Sequence, residues 1–194
     1  MFTKSPPASE IVANYARGWL LLGSSFPNGH SLMWQRFPQR AVIIRETLRV
    51  PKRMIEVRRR LKLEVRFDED FEAIVEHCRE GRSGWLSDEL VGAYRRVRDL
   101  GLVSTVGTYR DGHLVGGLWG ITVGRTLGIQ SAFHRENHAG SLALVAVAEK
   151  VREGQRWSMV DVVLPSDHYE RYGAREIPTE EFCELVWRSM VQSS

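Results

Sequence analysis

Apolar positions recur along this chain with two periods, and each period predicts its own kind of element. Residues 9–18 put Ile11, Val12 and Tyr15 on one side of a short helix that Gly18 ends. Residues 19–23, 32–34 and 41–44 are short apolar runs parted by turn-rich stretches such as Pro27-Asn28-Gly29, and they predict extended pieces. Pro51 can open a helix that runs through Met54 and Val57. Leu61, Leu63, Val65 and Phe67 alternate with Lys62, Glu64 and Arg66, the two-residue period of a half-buried strand. Asp68 or Asp70 is placed to cap a helix bearing Phe71, Ile74, Val75 and Cys78, with Gly81 and Gly84 closing it. Ser87 and Asp88 open the next helix, with Leu90, Val91, Tyr94 and Val97 on one face and Gly101 past its end. Residues 103–109 and 114–123 flank Asp111-Gly112, a hairpin signal, and Gly124-Arg125 turns the chain into a third strand, 126–133. Residues 142–151 form a helix too uniformly apolar to face solvent. A strand over 159–164, a short helix over 167–172, a stop at Gly173 and a final strand complete the order.

From Asp68 onward the order is therefore helix, helix, three antiparallel strands, buried helix, strand, short helix, strand. A meander followed by such a return predicts an α/β class, an α+β mixed sheet with helices on its faces. The same order is used by acyltransferases of the N-acetyltransferase (GNAT) type, an analogy of fold alone. At 194 residues the chain can bury one substantial core and a small appended lobe. The expected division is a small basic N-terminal lobe, 1–60, and a GNAT-like domain, 61–194.

Charge changes the picture more than composition does. The net charge is only +3, but nine basic residues (Arg45, Arg49, Lys52, Arg53, Arg58, Arg59, Arg60, Lys62, Arg66) face three acids between positions 45 and 66. That stretch carries +6 and the remainder −3. A one-sign patch on a slightly acidic body is the electrostatic footprint for a polyanion, and arginine suits bidentate phosphate contact. With few aromatics interleaved, the contact expected is with phosphate rather than with stacked bases. No apolar run approaches membrane-spanning length, residues 1–10 show no secretory pattern, and Cys78 and Cys183 stand far apart. A cytoplasmic protein with reduced thiols is the expectation.

No phosphate-binding glycine loop, dinucleotide turn, metalloprotease helix or nucleophile elbow is present. The six histidines are scattered, and the His134/His138 spacing is better read as a polar loop than as a metal site. No metal and no covalent nucleophile are expected. Chemistry by positioning, on a substrate that arrives activated, fits what remains.

Several motifs occur in an order that carries a family resemblance. They are Trp34 with Pro38-Gln39-Arg40-Ala41-Val42, Trp85 followed by Tyr94, Leu114-Val115-Gly116-Gly117-Leu118-Trp119-Gly120 and Ser131-Ala132-Phe133-His134-Arg135. Asp161 and His168 through Tyr172-Gly173-Ala174-Arg175-Glu176-Ile177-Pro178 complete the set. Together they resemble the leucyl/phenylalanyl-tRNA–protein transferases, which move an amino acid from charged tRNA to an N-terminal Lys or Arg. The resemblance implies a GNAT-like domain behind a small N-terminal one, aminoacyl-tRNA as co-substrate and no other cofactor. It implies tRNA contacts at Arg49, Lys52, Arg53, Arg58, Arg59, Arg60 and Lys62, with Trp85 and Tyr94 near the acceptor end. It implies an aminoacyl pocket of Leu118, Ala132, Phe133, Leu144, Val147, Val151, Val160 and Val163, suited to an apolar, Leu-like side chain. Asp161, with Gln130 and Ser131, would orient the attacking amine.

The chain also departs from that pattern. A family glutamine is Val163, a family glutamate is Gln130, the segment after Arg17-Gly18 is Leu20-Leu21-Leu22, and both ends are shorter. The tRNA side thus looks retained and the acceptor side rebuilt, so the expected acceptor is an amine other than the usual Lys/Arg N-terminus, a peptide or a small molecule. Two further readings are a non-catalytic tRNA-binding relic and a coenzyme-A-dependent N-acetyltransferase. The second meets a poor loop, since Arg135-Glu136-Asn137-His138-Ala139-Gly140 lacks the first glycine such a site needs.

Overall fold

The computed structural model describes residues 1–26, 29–80 and 85–191. The expected turn at Pro27-Asn28 and the helix stop at Gly81 and Gly84 lie outside them. Two sheets carry the chain. A three-stranded sheet is formed by β1 (Phe2–Thr3), β2 (Trp19–Phe26) and β3 (Gly29–Arg36), in the order β1-β3-β2. A seven-stranded sheet takes β4 (Gln39–Ile44), β5 (Glu64–Phe67), β6 (Val103–Arg110), β7 (His113–Val123), β8 (Thr126–His134), β9 (Met159–Val163) and β10 (Arg175–Pro178), in the order β10-β4-β9-β8-β7-β6-β5. All its pairings are antiparallel except β8 with β9. The expected mixed sheet is what the chain builds, and its meander turns at Asp111 (φ 51°) and Gly112 (φ 80°), both left-handed as a two-residue hairpin turn requires.

Seven helices cover the sheets among the described residues: α1 (Ala8–Ala16), α2 (Lys52–Leu61), α3 (Phe71–Arg79), α4 (Asp88–Asp99), α5 (Ala139–Glu153), α6 (Asp167–Glu170) and α7 (Thr179–Val191). Ser87 caps α4 by accepting the Leu90 N–H. Asp70, expected as a cap, does not serve: it adopts φ 52° and its carboxylate accepts the Tyr109 hydroxyl at 2.7 Å. Leu61, read as strand, is the last residue of α2, which Lys62 ends in a left-handed conformation. α7 was not foreseen. The boundary expected at residue 60 falls inside α2, and β4 lies within the seven-stranded sheet between β10 and β9.

The sheet has a core on each face. One gathers Tyr15, Val42, Trp119, Ile121, Tyr94 and Phe182 beneath α1, α3, α4 and α7. The other gathers Ile43, Leu118, Leu127, Val160 and Val162 beneath α5 and α2. Because side chains alternate along a strand, Asp161 points to the first face while its neighbours Val160 and Val162 point to the second.

Candidate functional site

Parallel pairing of β8 with β9 stops at Gly128 and Asp161, although β8 runs on to His134 and β9 to Val163. Past that point the strands part, and a cavity of about 340 Å³ opens between Ile129, Gln130, Ser131 and Ala132 on one side and Val162, Val163 and Leu164 on the other. Leu20, Leu22, Phe37, Trp85 and Tyr169 complete its wall, so no ionised side chain among the described residues lines it. A second cavity, of about 430 Å³, lies at the start of α5. Leu118, Ala132, Phe133 and Leu144 give it apolar surface, and His134, Asn137, His138, Ser141 and His168 give it polar groups. Ala132 and Tyr169 belong to both cavities, so the two adjoin there.

Asp161 sits behind this junction rather than in it. Its side chain is 0% exposed and ion-paired with Arg40, itself 0% exposed. One carboxylate oxygen accepts from Arg40 Nε at 3.2 Å and from the Val163 N–H at 2.9 Å; the other accepts from Arg40 Nη2 and from the Tyr15 hydroxyl at 2.8 Å. The expected contact between Asp161 and a substrate amine is therefore corrected, because every lone-pair direction is occupied within the protein. What reaches the cavity is Val163, whose N–H Asp161 holds. Val163 has φ 68°, a strained value for a β-branched residue, and the Leu164 N–H folds back to the Val162 carbonyl at 2.8 Å. Such strain persists only where surrounding structure over-determines it. Burial pulls the Arg40 guanidinium downward, but Asp161 together with the Tyr15 phenol and Cys183 outweighs it and leaves its pKa above the usual value. Burial, then Asp161, drives the Tyr15 phenol well above its own.

Arg40 and Tyr169 were missed as site residues. Arg40 also donates to the Gly18 carbonyl at 3.2 Å and lies 4.5 Å from the Phe182 ring centroid. Only its place in the Pro38–Val42 motif pointed to it. The histidines are not as scattered as the sequence implied, since His134, His138 and His168 share one cavity. Burial, with Arg171 and His134 nearby, holds His168 below the ordinary imidazole range. No group of His, Cys, Asp or Glu suited to a metal ion occurs among the described residues.

The expected aminoacyl pocket divides. Leu118, Ala132, Phe133 and Leu144 line the cavity at α5, and Val163 lines the wedge between the strands. Val147 and Val160 are 0% and 1% exposed and fill the core beneath α5. Val151 is likewise core, and it borders a separate hollow with Ile44 and Arg125. Deep apolar residues of α5 close on the sheet, and only the mouth of the anticipated pocket stays open. Gln130 and Ser131 are both in the wedge wall.

The basic cluster is on the surface. Arg49, Lys52, Arg53, Arg58, Arg59, Arg60 and Lys62 are exposed, while Met54 and Val57 bury the other side of α2. Arg58 ties the helix to Glu149 of α5 and is the only one of the seven with an ion pair among the described residues. α2 packs against α5 and so lies on the sheet face opposite the Asp161 carboxylate. Trp85 reaches the wedge cavity. Tyr94, expected near nucleic acid, is 1% exposed and stacks edge-on to Trp119 at 5.1 Å, which makes it a core residue. No helix among the described residues is long and apolar enough to cross a membrane.

Residues 42–187 match the family model for leucyl/phenylalanyl-tRNA protein transferase. Proteins of that name from Rubrobacter xylanophilus and Prosthecochloris aestuarii are similar along most of their length. The first is 35% identical over 89% of this chain and 88% of its own, the second 31% identical over 89% and 90%. Among solved structures, similarity extends to a GCN5-related N-acetyltransferase from Kribbella flavida, at 15% identity and a TM-score of 0.42, covering 75% of this chain and 55% of that one. A glucosamine N-acetyltransferase region of a fungal β-N-acetylglucosaminidase is 14% identical with a TM-score of 0.48, over 88% of this chain and 22% of that one.

Proposed function

The chain belongs to the leucyl/phenylalanyl-tRNA–protein transferase family, and from that premise we propose that it moves an apolar amino acid from charged tRNA to an amine, forming an amide. The observation that carries the proposal is the pair of cavities meeting at Ala132 and Tyr169. A transfer between two substrates needs two sites that open on each other, and holding both reactants in register replaces much of what a strong base would supply. The aminoacyl ester is already activated, so a neutral amine can attack it once oriented.

The roles divide by chemistry. Six exposed cations on and around α2, without an acidic partner among the described residues, support phosphate contact with the acceptor stem. Trp85 at the wedge offers a face on which a terminal base can stack. The apolar floor of the α5 cavity (Leu118, Ala132, Phe133, Leu144) suits a Leu-like side chain. Among the described residues the wedge gives a cationic Lys or Arg side chain no carboxylate to pair with, which favours an acceptor amine lacking one, peptide or small molecule. Asp161 is a positioning residue that fixes the Val163 turn in the wedge wall. No cofactor is needed for this chemistry beyond the charged tRNA itself.

Binding and transfer test separate parts of the proposal. Arg59→Ala with Arg60→Ala is expected to weaken charged-tRNA binding by several-fold or more. It should also flatten the slope of log affinity against log salt by about 1 to 2, as two lost phosphate contacts require. Single-turnover transfer at saturating tRNA should stay near wild type. An unchanged salt slope would remove α2 from the tRNA interface. Steep salt-dependent binding without transfer to any amine would instead mark a binding protein.

A further inference from the structure

Asp161 is sealed behind the two cavities, with its carboxylate oxygens held by Arg40, Tyr15 and the Val163 N–H, so it takes no proton from a substrate. Amide formation nevertheless moves one. The amine ends its addition as an ammonium centre and the ribose oxygen leaves as an alkoxide, so a group beside both must accept a proton and return it. Among the described residues lining the two cavities, His134, His138 and His168 carry the side chains that change protonation near neutral pH. His168 is the one of the three built against the junction. Its ring meets Tyr169, which belongs to both cavities, edge-on with centroids 5.2 Å apart, and Tyr172 at 5.4 Å. Tyr172 is buried and hydrogen-bonded to Ser141 of α5, which also lines the cavity. Two aromatic rings thus fix the imidazole at the cavity wall, while solvent still reaches it.

Resting on the transfer reading above, we propose that His168 is the general base of the reaction, taking the proton of the attacking amine and handing it to the ribose oxygen. The amine lone pair forms the carbon–nitrogen bond, and the carbonyl π pair moves onto oxygen. An imidazole nitrogen of His168 then takes one ammonium proton. The oxygen pair re-forms the carbonyl, the carbon–ribose oxygen bond breaks, and the imidazolium protonates that oxygen. Ester and amine become amide and alcohol, and His168 returns to its starting form with no oxidant or further reactant. The surroundings suit the task. Arg171 at the end of α6 and His134 of β8 act on the ring, His138 stands across the cavity at the start of α5, and Asp167 and Glu170 flank it on α6. No carboxylate lines the cavity among the described residues. Burial first, then Arg171 and His134, keep the imidazole neutral at neutral pH, the form that accepts a proton.

The test uses His168→Gln, which keeps a polar side chain of similar reach but cannot take a proton at neutral pH. Single-turnover transfer from leucyl-tRNA at pH 7 and saturating amine is expected to fall about 100-fold, with the Kd for leucyl-tRNA within about three-fold of wild type. Plotted per unprotonated amine, the wild-type rate should decline on the acid side with a midpoint below about 6.5, and that limb should be missing from His168→Gln. As a second variant, Arg171→Gln changes an exposed side chain that holds the imidazole down, so it should move the limb to higher pH. A histidine that only packs would give no such shift. Transfer by His168→Gln within about three-fold of wild type, a loss that follows the tRNA Kd, an acid limb unchanged in His168→Gln, or one that Arg171→Gln does not move, overturns the role and leaves the transfer reading standing. A wild-type chain that transfers to no amine overturns both.

Discussion

Asp161 spends its charge inside the protein, and this decides what its removal or that of its partners should do. Arg40, Tyr15 and the Val163 N–H all converge on one carboxylate with no exposed surface. Removing one partner of a buried ion pair leaves the other uncompensated, so Arg40→Met is expected to cost about 3–5 kcal/mol in urea unfolding. Arg40→Lys should recover little of it, because an ammonium cannot reproduce the two-pronged contact. A loss under about 1 kcal/mol for Arg40→Met would mean the pair is not sealed as described. Gly128 belongs to the same arrangement: a Cβ there would collide with the Tyr15 hydroxyl that donates to Asp161. Val163 makes a sharper case, since glycine relieves a left-handed strain of roughly 1–2 kcal/mol while losing a half-buried side chain. Val163→Gly is therefore expected to change stability by less than about 1 kcal/mol, whereas Val160→Ala, deep in the α5 core, should cost about 2. Of these residues the motif pattern held both Asp161 and Arg40, but it showed the burial of neither. A fully buried arginine looks, in a charge count, like any surface arginine.

At the scale of elements, the hydrophobic periods located most helices and strands because each buries one face against a sheet. α2 shows the rule plainly: Met54 and Val57 go under and the arginines stay out. α7 escaped because Thr179 follows Pro178 of β10 directly, with no turn between strand and helix. The Thr179 hydroxyl donates to the Phe37 carbonyl at 2.6 Å. Its signal was nevertheless present, with Glu180 and Glu181 in the first turn and Phe182, Val186 and Ser189 buried at helical spacing. Sequence order could not show that α6 and the start of α5 bring His134, His138 and His168 together, since only the tertiary fold joins residues that far apart. A pH dependence follows from that meeting. Burial, then Arg171 and His134, keeps His168 below its ordinary pKa, so the unfolded chain takes up the proton first as pH falls. The stability His168 contributes is thus present above the ordinary imidazole value of about 6.5 and lost as pH drops through the folded one. His168→Gln should flatten the acid-side decline of the urea midpoint, and an equally steep decline in the variant would show that other groups set it.

Across the whole molecule, the seven-stranded sheet separates the cationic helix from the carboxylate that the sequence pattern tied to it. The parting of β8 and β9 supplies the connection, because the cavity on the α5 side and the wedge meet at Ala132 and Tyr169. Strand pairing that stops short cannot be read from a period-two pattern, which looks the same in paired and parted strands. The charge asymmetry, by contrast, was fully legible, because surface cations need no tertiary information to be counted. The most direct measurement is loss of the aminoacyl ester from leucyl-tRNA on adding the chain, with and without a panel of amines. The expected result is ester loss that depends on the amine, yields the matching amide and is faster for acceptors without a basic side chain. Ester that survives every amine, or is hydrolysed at the same rate without one, would contradict the claim that two substrates meet between these strands.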